Sequence, residues 1–157
     1  MTFIKNLKEG RFGMEGTFFS PLFNQDIGLS IDKDVSVEYA EICINYFNSL
    51  GEDLVQAFCE AAIRYCNDFL VDIGEETKDF ATYKEVLKLI TPSSLMIPEA
   101  EQGLKPVVHM GFECEWEVEH GMEIVIRDNK LLYLGAFNGE YPWYDYESKK
   151  KDFWNYA

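Results

Sequence analysis

The chain has 157 residues, 47% of them apolar and 15% aromatic, which is enough for one domain with a buried core and too much for a disordered chain. Its 28 acidic residues against 14 lysines and arginines leave a formal charge of −14. A field of that sign repels nucleic acid and anionic membranes, which argues against both as partners and points to a basic protein.

The opening MTFIKNLKEG lacks the apolar core of a signal peptide, and no run of about 18 apolar residues follows anywhere. Cys43, Cys59, Cys66 and Cys114 show neither a C-x-x-C pair nor zinc-type spacing, and all fall within apolar pattern. Buried free thiols in a reducing cytoplasm account for them, so a cytoplasmic location is expected.

Residues 12–32 read as a β-hairpin. FGMEGTFFS is its first strand, which Pro21 limits to a sheet edge or ends; Phe23 to Asp26 is the turn; Ile27, Leu29 and Ile31 alternate with polar or small residues in the second. The period then lengthens to about 3.6 across residues 36–90, a helical layer. Ser36 caps a helix whose apolar face is Val37, Ala40, Ile44 and Phe47. Ser49 and Glu52 have capping-box spacing and start a second helix, with the stripe Val55, Cys59, Ala62, Cys66 and Phe69 and an end near Gly74. A third helix is expected from Phe80 to Ile90, stopping before Pro92. Ser94 to Ile97 reads as a short strand, and Glu99 to Lys105 as a polar loop.

Residues 106–137 read as a three-stranded β-meander. Val108, Met110, Phe112, Cys114, Trp116 and Val118 alternate with His109, Gly111, Glu113, Glu115 and Glu117, giving one apolar face and one anionic face. Glu119-His120-Gly121 is the expected first turn, and Asp128-Asn129 the second. Residues 138–157 form an aromatic C-terminal segment that opens with an Asn138-Gly139 turn, with a short edge strand expected at Tyr141 to Tyr146. The fold class is therefore α+β: one domain, an antiparallel β-sheet with about three helices packed on one face.

Chemistry has few footholds. A row of Glu113, Glu115 and Glu117 on one strand face could do acid–base work or hold a hard cation; as a solvated row it is a candidate footprint for a basic partner. His120 beside Glu119 could act as a base in a small hydrolase, but no serine or cysteine is placed as its nucleophile, since Cys114 belongs to the other strand face. As a turn residue, His120 packs locally while Gly121 supplies a positive φ. Two histidines exclude a histidine-rich metal site, and no phosphate loop or dinucleotide fingerprint occurs, so neither metal nor cofactor is expected. Tyr141, Trp143, Tyr144, Tyr146, Phe153, Trp154 and Tyr156 could stack on sugars as a carbohydrate-binding module, or fold back over the core. Lys149-Lys150-Lys151 is a small basic island.

The string from Cys114 to Glu123 (CEWEVEHGME), followed by Arg127-Asp128-Asn129-Lys130 and Tyr133-Leu134-Gly135, resembles uncharacterised small bacterial domains of the DUF6985 and DUF2004 type. Asn129 stands where that pattern usually has glycine, which a left-handed turn position tolerates. These domains are similar in size and acidity to immunity proteins of polymorphic toxin systems. The resemblance implies a protein that masks a basic toxin domain, and it transfers no catalytic residues. The charge distribution agrees with a binding role: residues 37–78 hold nine acids against two bases, and residues 99–123 seven against one. The expected partner-binding residues are Glu113, Glu115, Glu117, Glu119 and His120.

Overall fold

The computed structural model describes residues 3–148 and 154–157. Lys149-Lys150-Lys151 and Phe153 lie outside the described residues.

Ile27, Leu29 and Ile31 turn one face inward from a strand, β3 (Gln25–Asp32), which pairs antiparallel with β2 (Gly13–Ser20). The turn between them comes earlier than Phe23–Asp26: Ser20 pairs with Gln25, so residues 21–24 make it, with Asn24 at φ 52°. Outside β2 lies β1 (Lys5–Glu9), whose residues are all exposed. With no buried face it has no apolar alternation, so nothing in the sequence announced it. Its register slips between Lys5 and Lys8, and a bulged, lysine-bearing edge resists pairing with another chain.

After β3 the chain turns helical. Ser36 caps α1 (Val37–Asn48), its hydroxyl accepting from the Tyr39 N–H at 3.0 Å. The expected capping box at Ser49 and Glu52 does not form. Gly51 is the N-cap of α2 (Glu52–Asp72), Ser49 closes α1, and the Glu52 carboxylate accepts from Tyr83 and pairs with Lys84. The predicted stripe of α2 is buried at Val55, Cys59, Ala62 and Cys66, while Phe69 is half-buried. The third helix is a 3-10 helix, Tyr83–Leu89, and Ile90 already belongs to β4 (Ile90–Ile97). Pro92 sits inside that strand, where the pairing with β5 shifts register and a missing N–H costs no ladder bond.

This helical crossover lets β4 pair parallel with β3, so the sheet is antiparallel everywhere but there. Then follow β5 (Val108–Cys114), β6 (Glu117–Arg127) and β7 (Lys130–Gly135). Among the described residues the seven strands form one sheet in sequence order. The Asp128-Asn129 turn is as expected, with φ values of 55° and 58°. The fold is α+β.

The sheet has two unlike faces. Val108, Met110 and Phe112 pair with Ile126, Ile124 and Met122 and meet the helices, where Phe58 lies 5.7 Å from Phe112 between ring centres. The alternate positions, including His109, Gly111 and Glu123, look the other way, toward residues 138–144. That segment is turns rather than the expected strand at Tyr141–Tyr146. It still covers the core, with Trp143 buried and Tyr146 packed against it. The last residues run beside β7, the Tyr156 N–H donating to Leu134 O at 2.8 Å. All four cysteines are free and buried. Among the described residues no helix is long and apolar enough to cross a membrane.

Candidate functional site

The expected row of glutamates is broken by a turn. The strand β5 ends at Cys114, which pairs with Glu117, so Glu115 and Trp116 are the two residues of a tight reversal. The alternation misleads because a two-residue turn preserves parity: Trp116 points inward from the turn, meeting Tyr65 edge-on at 5.5 Å, just as it would from a strand. Glu113 is the last residue but one of β5 and Glu115 tops the turn, both exposed, whereas Glu117 opens β6 and is half-buried.

The turn expected at Glu119-His120-Gly121 is instead a bulge. Phe112 pairs with Met122 and Cys114 with Glu117, so four residues of β6, Val118 to Gly121, stand opposite Glu113 alone. Val118 is thrown outward and is 86% exposed, contrary to its expected place on the apolar face. Gly121 returns the chain to register at φ 71°; a Cβ there would sit 2.3 Å from the Phe112 carbonyl oxygen, so glycine is required.

His120 pairs with Glu117 rather than Glu119. Its Nδ1 lies 2.8 Å from Glu117 Oε2, while Glu117 Oε1 accepts from the main-chain N–H of Glu119 at 3.0 Å and of His120 at 3.4 Å. Partial burial pushes the Glu117 carboxyl up, but these hydrogen bonds outweigh it and hold it below the usual carboxylate range. The same hydrogen bond and charge raise the exposed His120 imidazole above its ordinary value. The pair shapes the bulge. The Cys114 thiol donates to Glu117 O at 3.4 Å, and burial pushes it up to about 12, so it stays protonated.

Tyr65 ties this tip to α2. Besides meeting Trp116, its hydroxyl donates to Gly121 O at 3.0 Å. Exposed Asp68 and Asp72 lie one and two turns further along α2, and exposed Glu75, Glu76 and Asp79 follow it. That following stretch is drawn back to the helix by Asn67, which bonds the main chain of Lys78 through both its amide atoms. The tip acids Glu113, Glu115 and Glu119, the neighbouring Val118 and the acids at the end of α2 are all exposed, and Tyr65 is the contact between the two elements.

A second carboxylate–histidine pair lies at the other end of the strands, and sequence reading missed it. Glu123, fully buried, faces His109, with 2.5 Å between Oε2 and Nε2. A turn in residues 138–140 closes over the carboxylate: the N–H groups of Asn138 and Gly139 donate to Oε1 at 3.0 and 3.1 Å, and that of Glu140 to Oε2 at 2.8 Å. Gly139, at φ 80°, lets three successive N–H groups converge. Burial pushes the Glu123 carboxyl up, yet the hydrogen bonds from His109 and the main chain prevail and hold it ionised. Beside it Arg127 donates to Pro142 O at 2.5 Å and Tyr144 O at 3.2 Å, with its guanidinium 5.7 Å from the Trp143 ring centre. The available signal was a polar residue in each of two apolar strands, His109 and Glu123, followed by an Asn-Gly turn.

His109 also lines a cleft of about 800 Å³ with Ser30, Asp32, Glu99, Tyr141 and others. Among the described residues no three His, Cys, Asp or Glu side chains converge as a metal ion would require.

No curated protein and no solved structure matches the chain. A family model does, over residues 3–142, a span that takes in both the acidic tip and the turn that holds Glu123. The chain belongs to that family, described as a domain of unknown function (DUF6985).

Proposed function

We propose that this protein acts by binding: its acidic rim covers a basic surface on a partner protein, as an immunity protein masks a toxin domain. One observation carries the reading. Two acid-rich stretches some 40 residues apart in the chain, α2 with the residues that follow it and the β5–β6 tip, are brought together at Tyr65, which meets Trp116 edge-on and donates to Gly121 O. Like charges gathered in this way cost stability unless a basic surface answers them. The exposed Val118 gives the acidic tip an apolar contact of the kind that anchors interfaces within a charged surround.

The test is calorimetric binding to the product of the reading frame adjoining this protein's own gene. Reversing Glu113, Glu115 and Glu119 to lysine should weaken the complex at least about tenfold, the effect of losing several charge contacts at a rim. Reversing the exposed Glu9, Glu15 and Glu38 makes the same change in net charge elsewhere and should cost far less. Equal losses in the two variants would refute a footprint at the rim.

A further inference from the structure

The two edges of the sheet are protected by different means. At β1 a bulge and the lysines Lys5 and Lys8 discourage pairing. The strand β7 has neither device. Among the described residues it is the last strand of the sheet, and its Leu131, Leu132, Tyr133 and Leu134 form an unbroken apolar run. Its one charge, Lys130, is paired with Glu147 at 2.9 Å. An apolar, β-prone edge of this kind is a template for pairing with another chain.

Residues 154–157 lie across that edge. The Leu134 N–H donates to Asn155 Oδ1 at 3.2 Å, and the Leu134 carbonyl accepts from the Tyr156 N–H at 2.8 Å. The Asn155 side-chain amide also donates to Leu132 O at 3.0 Å. With an acceptor and a donor side by side, that one side chain stands in for the peptide group of a neighbouring strand. Gly135 leaves room for the approach, since a Cβ there would meet Trp154 O at 2.5 Å. The segment is fastened in turn to α2. Arg64 Nη2 donates to Tyr156 O at 2.6 Å, the Tyr156 ring stacks on Tyr65 at 5.3 Å, and its hydroxyl donates to Asp68 at 2.5 Å.

We propose that residues 154–157 are an edge guard, which occupies β7 in place of a strand and so prevents copies of this chain from pairing through it. Asn155 satisfies the edge, and Tyr156 is the anchor that holds Asn155 there. This role needs no acid-binding partner, so it and the proposed binding role stand or fall separately.

The test uses the full chain with two substitutions. Asn155→Asp keeps the acceptor for the Leu134 N–H but turns an oxygen toward Leu132 O, and Tyr156→Ala removes the anchor. In amide hydrogen exchange followed by NMR, Leu134 should exchange at least about tenfold faster than in the native chain, while Ile124 and Val125 of β6 keep their protection. Sedimentation should find the native chain monomeric from about 10 μM to about 1 mM, and the variant associating over that range. Adding Leu131→Lys puts a charge on the bared edge; it should restore the monomer and leave Leu134 exchanging fast. If the double variant loses the β6 protection as well, Asn155→Asp alone takes its place, with the same ordering expected. A native chain that associates as the variant does, a Leu134 amide that stays protected in the variant, a variant that stays monomeric while Leu134 exchanges fast, or association that persists with Leu131→Lys would overturn the assignment.

Discussion

Glu123 and His109 meet across β5 and β6 at 2.5 Å, on the sheet face turned away from the helices, and the turn at residues 138–140 closes over them. A charge buried this fully survives only because every lone-pair direction has a donor. The pair therefore couples the sheet to the C-terminal segment: the segment supplies the N–H groups, and the carboxylate holds the segment down.

Glu123→Gln leaves at least one N–H facing another N–H, so it should cost about 3 kcal/mol in urea denaturation, the penalty for buried donors left without acceptors. The folded carboxyl is depressed below its ordinary 4.5, so its contribution is present above that pH and lost as pH falls through the folded value. The variant should therefore lose less stability than the native chain between about pH 5 and pH 3. Parallel acid limbs in the two proteins would mean that Glu123 does not depend on its charge.

Trp116 is 7% exposed and packed on Tyr65, whereas its neighbour Glu115 is exposed. Trp116→Ala should cost about 3–5 kcal/mol, as for other large buried aromatics. Glu115→Ala should stay within about 0.5 kcal/mol. Similar shifts of the denaturation midpoint would contradict the assigned faces of the turn.

Gly121→Ala places a Cβ against the Phe112 carbonyl oxygen and strains a left-handed residue, so a loss of about 2–4 kcal/mol is expected. Gly74 has a similar positive φ of 77° but open space around it, and Gly74→Ala should cost only about 1 kcal/mol. The comparison separates crowding from backbone strain; equal losses would show that crowding contributes nothing at the bulge.

Much of this was legible in the chain and some was not, for local reasons. The alternation from Val108 to Trp116 separated the two faces of β5, because a two-residue turn keeps parity, but not inside from outside: His109 and Gly111, on the face expected in water, are buried. The same parity hid the reversal at Glu115-Trp116 and put Val118 on the wrong face. The stripe of α2 was readable because it is wide. The 3-10 helix and the absent capping box were not, since Ser49 and Glu52 find other partners and tertiary packing overrides local preference. His109 and Glu123 are neighbours only once the register of β5 on β6 is known, and no local pattern carries that.

His120 and Glu117 offer a pH test. The raised His120 contributes stability below its ordinary 6.5, lost as pH rises through its folded value; the lowered Glu117 contributes above 4.5, lost as pH falls through its own. Their attraction therefore operates fully between those two values. Glu117→Gln should return the His120 titration, followed by NMR, toward 6.5. An unchanged titration would mean that the raised value comes from the general acidity of the surface. His120→Asn should leave both the fold and partner binding nearly intact, because asparagine also suits such backbone.

The rate at which the partner associates tests the acidic rim most directly. Exposed charges are screened beyond about 8 Å at physiological ionic strength, so steering by the rim must fade as salt rises. Measured by stopped flow against the product of the adjoining reading frame, association should slow roughly tenfold between low and high salt, while dissociation changes less. The Glu113, Glu115 and Glu119 reversal should bring about the same slowing at low salt. An association rate indifferent both to salt and to that reversal would contradict binding through the rim.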